Sequence, residues 1–183
     1  MENIDKSFRE AVKEWPMDLL MDYILKIHHR GIRKNGPELL ELIAKVKDVH
    51  SDAHPFLGEL YQMVKESLED LESHLQKEEN VLFPYLYELF EASENGVRMG
   101  RMHCGTVRNP IRVMFSEHDG ETRRYNYIKS LTNNFEIPAD ACDKYRMMME
   151  KLELFMNALF EHIYLENEIL FPLSQKVEDA WVG

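Results

Sequence analysis

From Trp15 onward, apolar residues recur at intervals of three and four, the period of a helix packed on one side. Met17, Leu20, Met21, Ile24, Leu25 and Ile32 form the first such stripe, which Asn35-Gly36-Pro37 interrupts and which resumes up to His50. After the loop-like Ser51–Pro55, a long pattern runs from Phe56 to about Ala92, with Leu60, Val64, Leu68, Leu71, His74 and Leu75 close to one face. Glu94–Gly105 reads as the clearest loop. A third helix is expected from about Asn109 to Leu131, closed by TNNFEIP, and a last one from about Ala139 to Ser174. No segment alternates as a strand does. Four long amphipathic helices have one economical arrangement: an all-α, antiparallel up-and-down four-helix bundle, here with its first helix interrupted near Gly36-Pro37. The expected layout is a single domain over 15–176, an N-terminal extension over 1–14 and a C-terminal tail over 177–183.

Two of the apolar stripes carry polar residues, in the same pattern. HLQKEENVLFP and HIYLENEILFP share His, then Glu four residues on, then Leu-Phe-Pro: His74, Glu78, Leu82, Phe83, Pro84 against His162, Glu166, Leu170, Phe171, Pro172. Residues i and i+4 of a helix share a face, so each His–Glu pair points into a leucine-rich surface. Burying a carboxylate there is costly unless it is paired or binds a metal. One HxxxE is an ordinary surface pair; two, each followed at the same distance by Leu-Phe-Pro, are a much sharper signal. His29 precedes His74 by 45 residues and His118 precedes His162 by 44, so the chain reads as two helical hairpins. Paired about a pseudo-twofold axis, they would bring four His and two Glu to the bundle centre. Mixed imidazole and carboxylate ligation in a bundle suits two iron or manganese ions, iron ahead of manganese, and not a closed zinc site.

His50 breaks the symmetry, since its duplicate near Ala139 is not histidine. If it is included, five histidines divide three and two over a pair of ions bridged by two carboxylates and one oxygen. One ion then keeps an open position for O2, NO or peroxide.

Composition narrows the remaining choices. The chain has 183 residues, 44% hydrophobic and 30% charged, and needs no disulfide to fold. Its net charge of −11 argues against nucleic acid and anionic membrane as partners. Cys104 and Cys142 lack metal-ribbon spacing, the first residues lack a signal-peptide core, and no run of about 18 apolar residues is present. The expected location is the cytoplasm.

These ligand motifs, with RKNGPELLELIAKVKDVH, SEHD and LTNNFEIPADAC, resemble the haemerythrin-like (HHE) di-iron domain, and within it the repair-of-iron-centres family, over roughly residues 15 to 174. The resemblance implies metal ligands at His29, His50, His74, Glu78, His118, His162 and Glu166. Glu78 and Glu166 would bridge two iron ions alongside an oxo or hydroxo group. Periodicity alone leaves His28 and His29 both open; the family interval to His50 selects His29. Members of that family usually carry a preceding domain with an adjacent cysteine pair, which this sequence does not match. The implied function is a cytoplasmic stress-response protein that helps repair iron–sulfur clusters, by reducing NO to N2O or by donating iron, with transient contact to iron–sulfur proteins. The alternative is a module that binds O2 or NO reversibly, or senses redox state, without turnover.

Beside these, Glu117 is a candidate hydrogen-bond partner or proton carrier near the open position, and Asp70, one turn before His74, is a candidate to orient its imidazole. His54 and His103 read as surface residues, and the eleven methionines, Met147–Met149 included, as core filler.

Overall fold

A computed structural model describes residues 5–103 and 105–183; the first four residues of the expected N-terminal extension, and Cys104, lie outside the described residues. The helices are α1 (Lys6–Val12), α2 (Met17–Tyr23), α3 (Arg30–His50), α4 (Phe56–Lys77), α5 (Phe83–Glu94), α6 (Arg108–Leu131), α7 (Asp143–Tyr164) and α8 (Phe171–Trp181). Three π-helical turns, Ile24–His29, Glu78–Leu82 and Leu165–Leu170, weld α2 to α3, α4 to α5 and α7 to α8. Three composite rods and α6 thus make the four-helix bundle expected from the periodicity. In it α3 packs on α4 and α7, and α6 on α4 and α7, while α5 packs on α8 and α2 at one end.

Single-turn π segments concentrate at functional positions, and here each holds or adjoins a residue singled out from the sequence. The Leu-Phe-Pro repeat explains two of them in part. Pro84 and Pro172 lack the N–H that an unbroken α-ladder would use, and each falls in the first turn of the helix after the π segment, where its missing donor costs least.

The expected interruption at Gly36-Pro37 is corrected by the structure, in which α3 runs unbroken through Pro37. Packing outweighs the proline: Leu39, Ile43 and Val46 are buried on the same helix. Gly36 is buried too, and a Cβ there would clash with Leu68 Cδ2, so the glycine lets α3 and α4 come close at this point. The expected end of the last helix, at about Ser174, is corrected as well. The last helix continues to Trp181, and Glu178, buried, accepts hydrogen bonds from the Tyr85 hydroxyl and Val107 N–H, both at 2.8 Å, and from Thr106. The short α1 is capped by Asp5, whose side chain accepts from Ser7 N–H at 2.6 Å, and it buries Val12.

The apolar interior falls into two clusters. Ile32, Leu75, Tyr125 and Leu159 belong to one, and Ile24, Leu82, Met114 and Leu170 to the other. Each rod passes from one cluster to the other close to its histidine, so the polar residues form a layer between two hydrophobic plugs.

Candidate metal centre

The layer consists of His29 from the first π turn, His74 near the end of α4, Glu78 at the start of the second π turn, His118 in α6, His162 near the end of α7, and Glu166 in the third π turn. All six are buried; Glu78, His162 and Glu166 are fully enclosed. Ligating atoms of His74, His118, His162 and Glu166 lie within 4.8 Å of one another, as do those of His29, Glu78, His162 and Glu166. The two groups overlap at His162 and Glu166, so the whole layer is continuous.

Its inner atoms are close yet unsatisfied. His29 Nε2 lies 3.4 Å and His74 Nε2 3.3 Å from Glu78, while His118 Nε2 lies 3.1 Å and His162 Nε2 3.3 Å from Glu166. The His74 and His118 Nε2 atoms face each other at 3.1 Å. Even so, seven buried atoms of this layer have no hydrogen-bond partner among the described residues: His29 Nε2, both ring nitrogens of His162, and all four oxygens of Glu78 and Glu166. Each such atom costs about 1–3 kcal/mol when left alone. A set of imidazole and carboxylate donors converging without protons to share fits metal cations, and the residues present therefore suit such a group.

The outer ring nitrogens show the same purpose. Nδ1–H of His29 donates to Glu79 at 2.8 Å, that of His74 to Glu117 at 2.8 Å, and that of His118 to Asn167 at 2.8 Å. These bonds hold three imidazoles in the tautomer whose Nε2 lone pair points inward, which metal-bound histidine requires. Glu79 is itself held by Arg33, at 2.6 and 3.1 Å.

Electrostatics separate the two carboxylates. Burial raises the pKa of Glu78, but the His74 charge and the close approach of the His29 and His74 rings outweigh it and hold Glu78 well below the usual range. Burial and then the Glu78 charge push Glu166 well above it. Without a cation the pair therefore keeps a proton on Glu166, which metal uptake must displace. Burial lowers His162 well below the ordinary histidine value and lowers His118 to about 4, with His74 adding to the second shift. Both imidazoles are thus neutral donors at neutral pH.

Sequence comparison agrees with this chemistry. The model of the hemerythrin HHE cation binding domain matches residues 20–174. The chain belongs to the hemerythrin HHE family. Its curated relatives include the iron-sulfur cluster repair protein YtfE of Musicola paradisiaca, 34% identical over 95% of this chain and 71% of that one. A probable iron-sulfur cluster repair protein of Haemophilus influenzae is 34% identical over 93% of this chain and 69% of its own. YtfE of Escherichia coli O81 is 35% identical over 92% of this chain and 69% of its own. No described helix is long and apolar enough to cross a membrane.

In this HHE domain the structure brings together His29, His74, Glu78, His118, His162 and Glu166. It does not bring His50. That residue ends α3, and 21 residues at 1.5 Å each carry it about 30 Å from His29. The interval is close to six full turns, so His50 shares the azimuth of His29 but not its height. His28 is buried beside the cluster, but its Nε2 lies 3.3 Å from Glu161, outside both ligand groups. Asp70 does not orient His74; it pairs with Arg124 at 2.7 Å, and Glu117 takes that place.

Glu79 and Asn167 were not anticipated, although the repeat contains their signal. Each follows the glutamate of its HxxxE pair by one residue, and each serves the histidine on the first helix of its own hairpin. Glu121 was also missed. It lies three residues after His118 in α6, buried, accepts from Ser67 Oγ at 2.7 Å and contacts Arg124.

Proposed function

We propose that the layer holds two iron ions bridged by Glu78 and Glu166 and by an oxo or hydroxo group, with His29, His74, His118 and His162 completing the ligand set. We further propose that the chain helps restore iron–sulfur clusters damaged by nitrosative or oxidative stress, in the cytoplasm, in transient contact with the proteins that carry them. The observation that carries this reading is the convergence of seven unsatisfied buried donor atoms; the names of its relatives support the repair role.

Held there and reduced, an iron pair would supply the two electrons needed to turn two NO and two protons into N2O and water. The protein must supply access and protons. A cavity of about 320 Å³ reaches His74, His118 and His162 and is lined by Lys77, Glu117, Glu121 and Arg124. Glu117 opens onto it. Burial raises its pKa, but Lys77 and His74 outweigh that and keep it ionised, so it serves best as the anchor of His74. Burial holds the Glu121 carboxyl above its ordinary range. Glu121 is accordingly the group suited to carry a proton towards the centre. Such a charged approach favours turnover over simple gas storage.

A second reading, iron donation, is favoured by His162. Its Nδ1 has no partner among the described residues, so this ligand is oriented least firmly and its iron should leave first.

The test is to add NO to the reduced, iron-loaded protein without oxygen and to measure N2O. One N2O for every two NO, slowed roughly a hundredfold by Glu121→Gln, is the expected result. Reversible NO or O2 binding with no product would move the assignment to a gas-binding or sensing module. Prompt loss of one iron to a chelator, without N2O, would favour donation.

A further inference from the structure

The far end of the bundle gathers a second set of metal-binding side chains, from three separate stretches of chain. His50 ends α3, His54 lies in the loop before α4, and Asp140 and Cys142 lie in the segment that leads into α7. His54 Nε2 is 3.1 Å from both carboxylate oxygens of Asp140, and His50 Nε2 is 3.2 Å from Cys142 Sγ. One ligating atom from each of His50, His54 and Asp140 lies within 4.8 Å of the other two.

The arrangement has a built floor. Tyr145, fully buried, meets both imidazoles edge-on, with ring centroids 5.3 Å from each, and its hydroxyl has no partner among the described residues. The segment carrying Asp140 and Cys142 follows a run of three left-handed residues, Asn133, Asn134 and Phe135, with φ of 48°, 63° and 60°. A bulky residue such as Phe135 adopts that conformation at a cost, here offset by burial of its ring and by its N–H bond to Thr132 Oγ1 at 3.2 Å. The chain is thus held in a conformation that brings Asp140 and Cys142 against the end of α3.

We infer that His50, His54 and Asp140 form a second, surface-accessible site for a divalent first-row metal ion, distinct from the buried layer, and that Cys142, in contact with His50 but outside that three-residue group, swings in as the fourth ligand. Two imidazoles, a thiolate and a carboxylate are the donors that Zn²⁺ and Fe²⁺ take in tetrahedral sites. Metal–ligand bonds of about 2.0–2.3 Å place tetrahedral ligand atoms about 3.3–3.7 Å apart, close to the 3.1 and 3.2 Å contacts seen here. Each of those contacts shares a proton that a cation would displace. Asp140, with 55% of its side chain exposed, leaves an open route from solvent. The location also explains a histidine that the buried layer does not use.

The experiment starts from protein whose buried layer is already loaded with iron, and adds Co²⁺, Zn²⁺ or Fe²⁺ without oxygen. The expected result is one further equivalent per chain, with a thiolate-to-cobalt charge-transfer band and tetrahedral visible bands. Cys142→Ser should abolish the charge-transfer band while folding normally, because the residue is exposed. His50→Gln with His54→Gln should weaken binding at least tenfold and leave the buried iron in place. Zn²⁺ and Fe²⁺ arms competing against Co²⁺ identify which cation the site prefers. No further equivalent, or a further equivalent indifferent to all three substitutions, would overturn the site. Loss of buried iron on changing His50 would overturn the separation between the two sites.

Discussion

The two hairpins of the bundle write one ligand pattern twice and support it differently. In the first, Glu79 holds His29 and is itself clamped by Arg33; in the second, a neutral Asn167 holds His118. The residue before His118 is Glu117, which anchors His74 across the layer, whereas the residue before His29 is His28, which turns to Glu161 and leaves His162 Nδ1 without a described partner. The inner donors are therefore nearly symmetric and the groups behind them are not. A duplicated centre can keep its metal geometry while its two ends acquire different affinity and potential, because outer partners tune a ligand without replacing it.

Breaking the shared part should have the largest effect. Glu78→Leu or Glu166→Leu removes a carboxylate proposed to bridge the metals and should bring iron below two per chain, read by elemental analysis. Among the histidines, His29→Gln should cut loading and His28→Gln should leave it nearly intact; the reverse ranking would move this ligand by one residue. Next come the outer partners. Glu79→Gln and Glu117→Gln should each weaken metal affinity by roughly 10–100-fold, measured by chelator competition. Asn167→Asp, which makes the second hairpin resemble the first, should tighten it instead.

The smallest effect is on the metal-free chain. His118 and His162 have folded-state pKa values below the ordinary 6.5, at about 4 for His118. At these two residues the unfolded chain thus binds more protons than the folded one between those values, and their contribution to stability should fall as pH drops from about 6.5 towards 4. His74 opposes this. Burial lowers its pKa, but Glu78 and Glu117 outweigh that and raise it, so its contribution is present at low pH and fades as pH rises. Glu166 and Glu121 oppose it as well, because their raised pKa values let the folded chain hold protons in the same window. Thermal melts of the metal-free chain should therefore change little between pH 6.5 and about 4, and Glu166→Gln should uncover the acid destabilisation due to the two histidines.

Much of this was legible in the sequence because hydrophobic periodicity reports azimuth well. It identified the bundle, and it set His74 with Glu78 and His162 with Glu166 on inward faces. Periodicity says little about height along a helix, and the resemblance that implied His50 as a ligand says nothing of it either; His50 lies nearly six turns from His29, about 30 Å away. Nor does it report π turns, which have no simple compositional mark and re-aim the residues beyond them. Asp70 and Glu117 illustrate a third limit. Asp70 lies one turn before His74 and Glu117 lies next to His118 in the sequence, and only the packing of α6 against α4 decides that Glu117 takes the His74 Nδ1 while Arg124 takes Asp70. The proline inside α3 shows tertiary packing overriding a local breaker.

The most direct test of the central claim is Mössbauer spectroscopy with iron quantitation on protein reconstituted with ⁵⁷Fe. The account predicts two irons per chain in two distinguishable environments, which Asn167→Asp brings closer together. One iron per chain, or none, would contradict a shared centre built on Glu78 and Glu166.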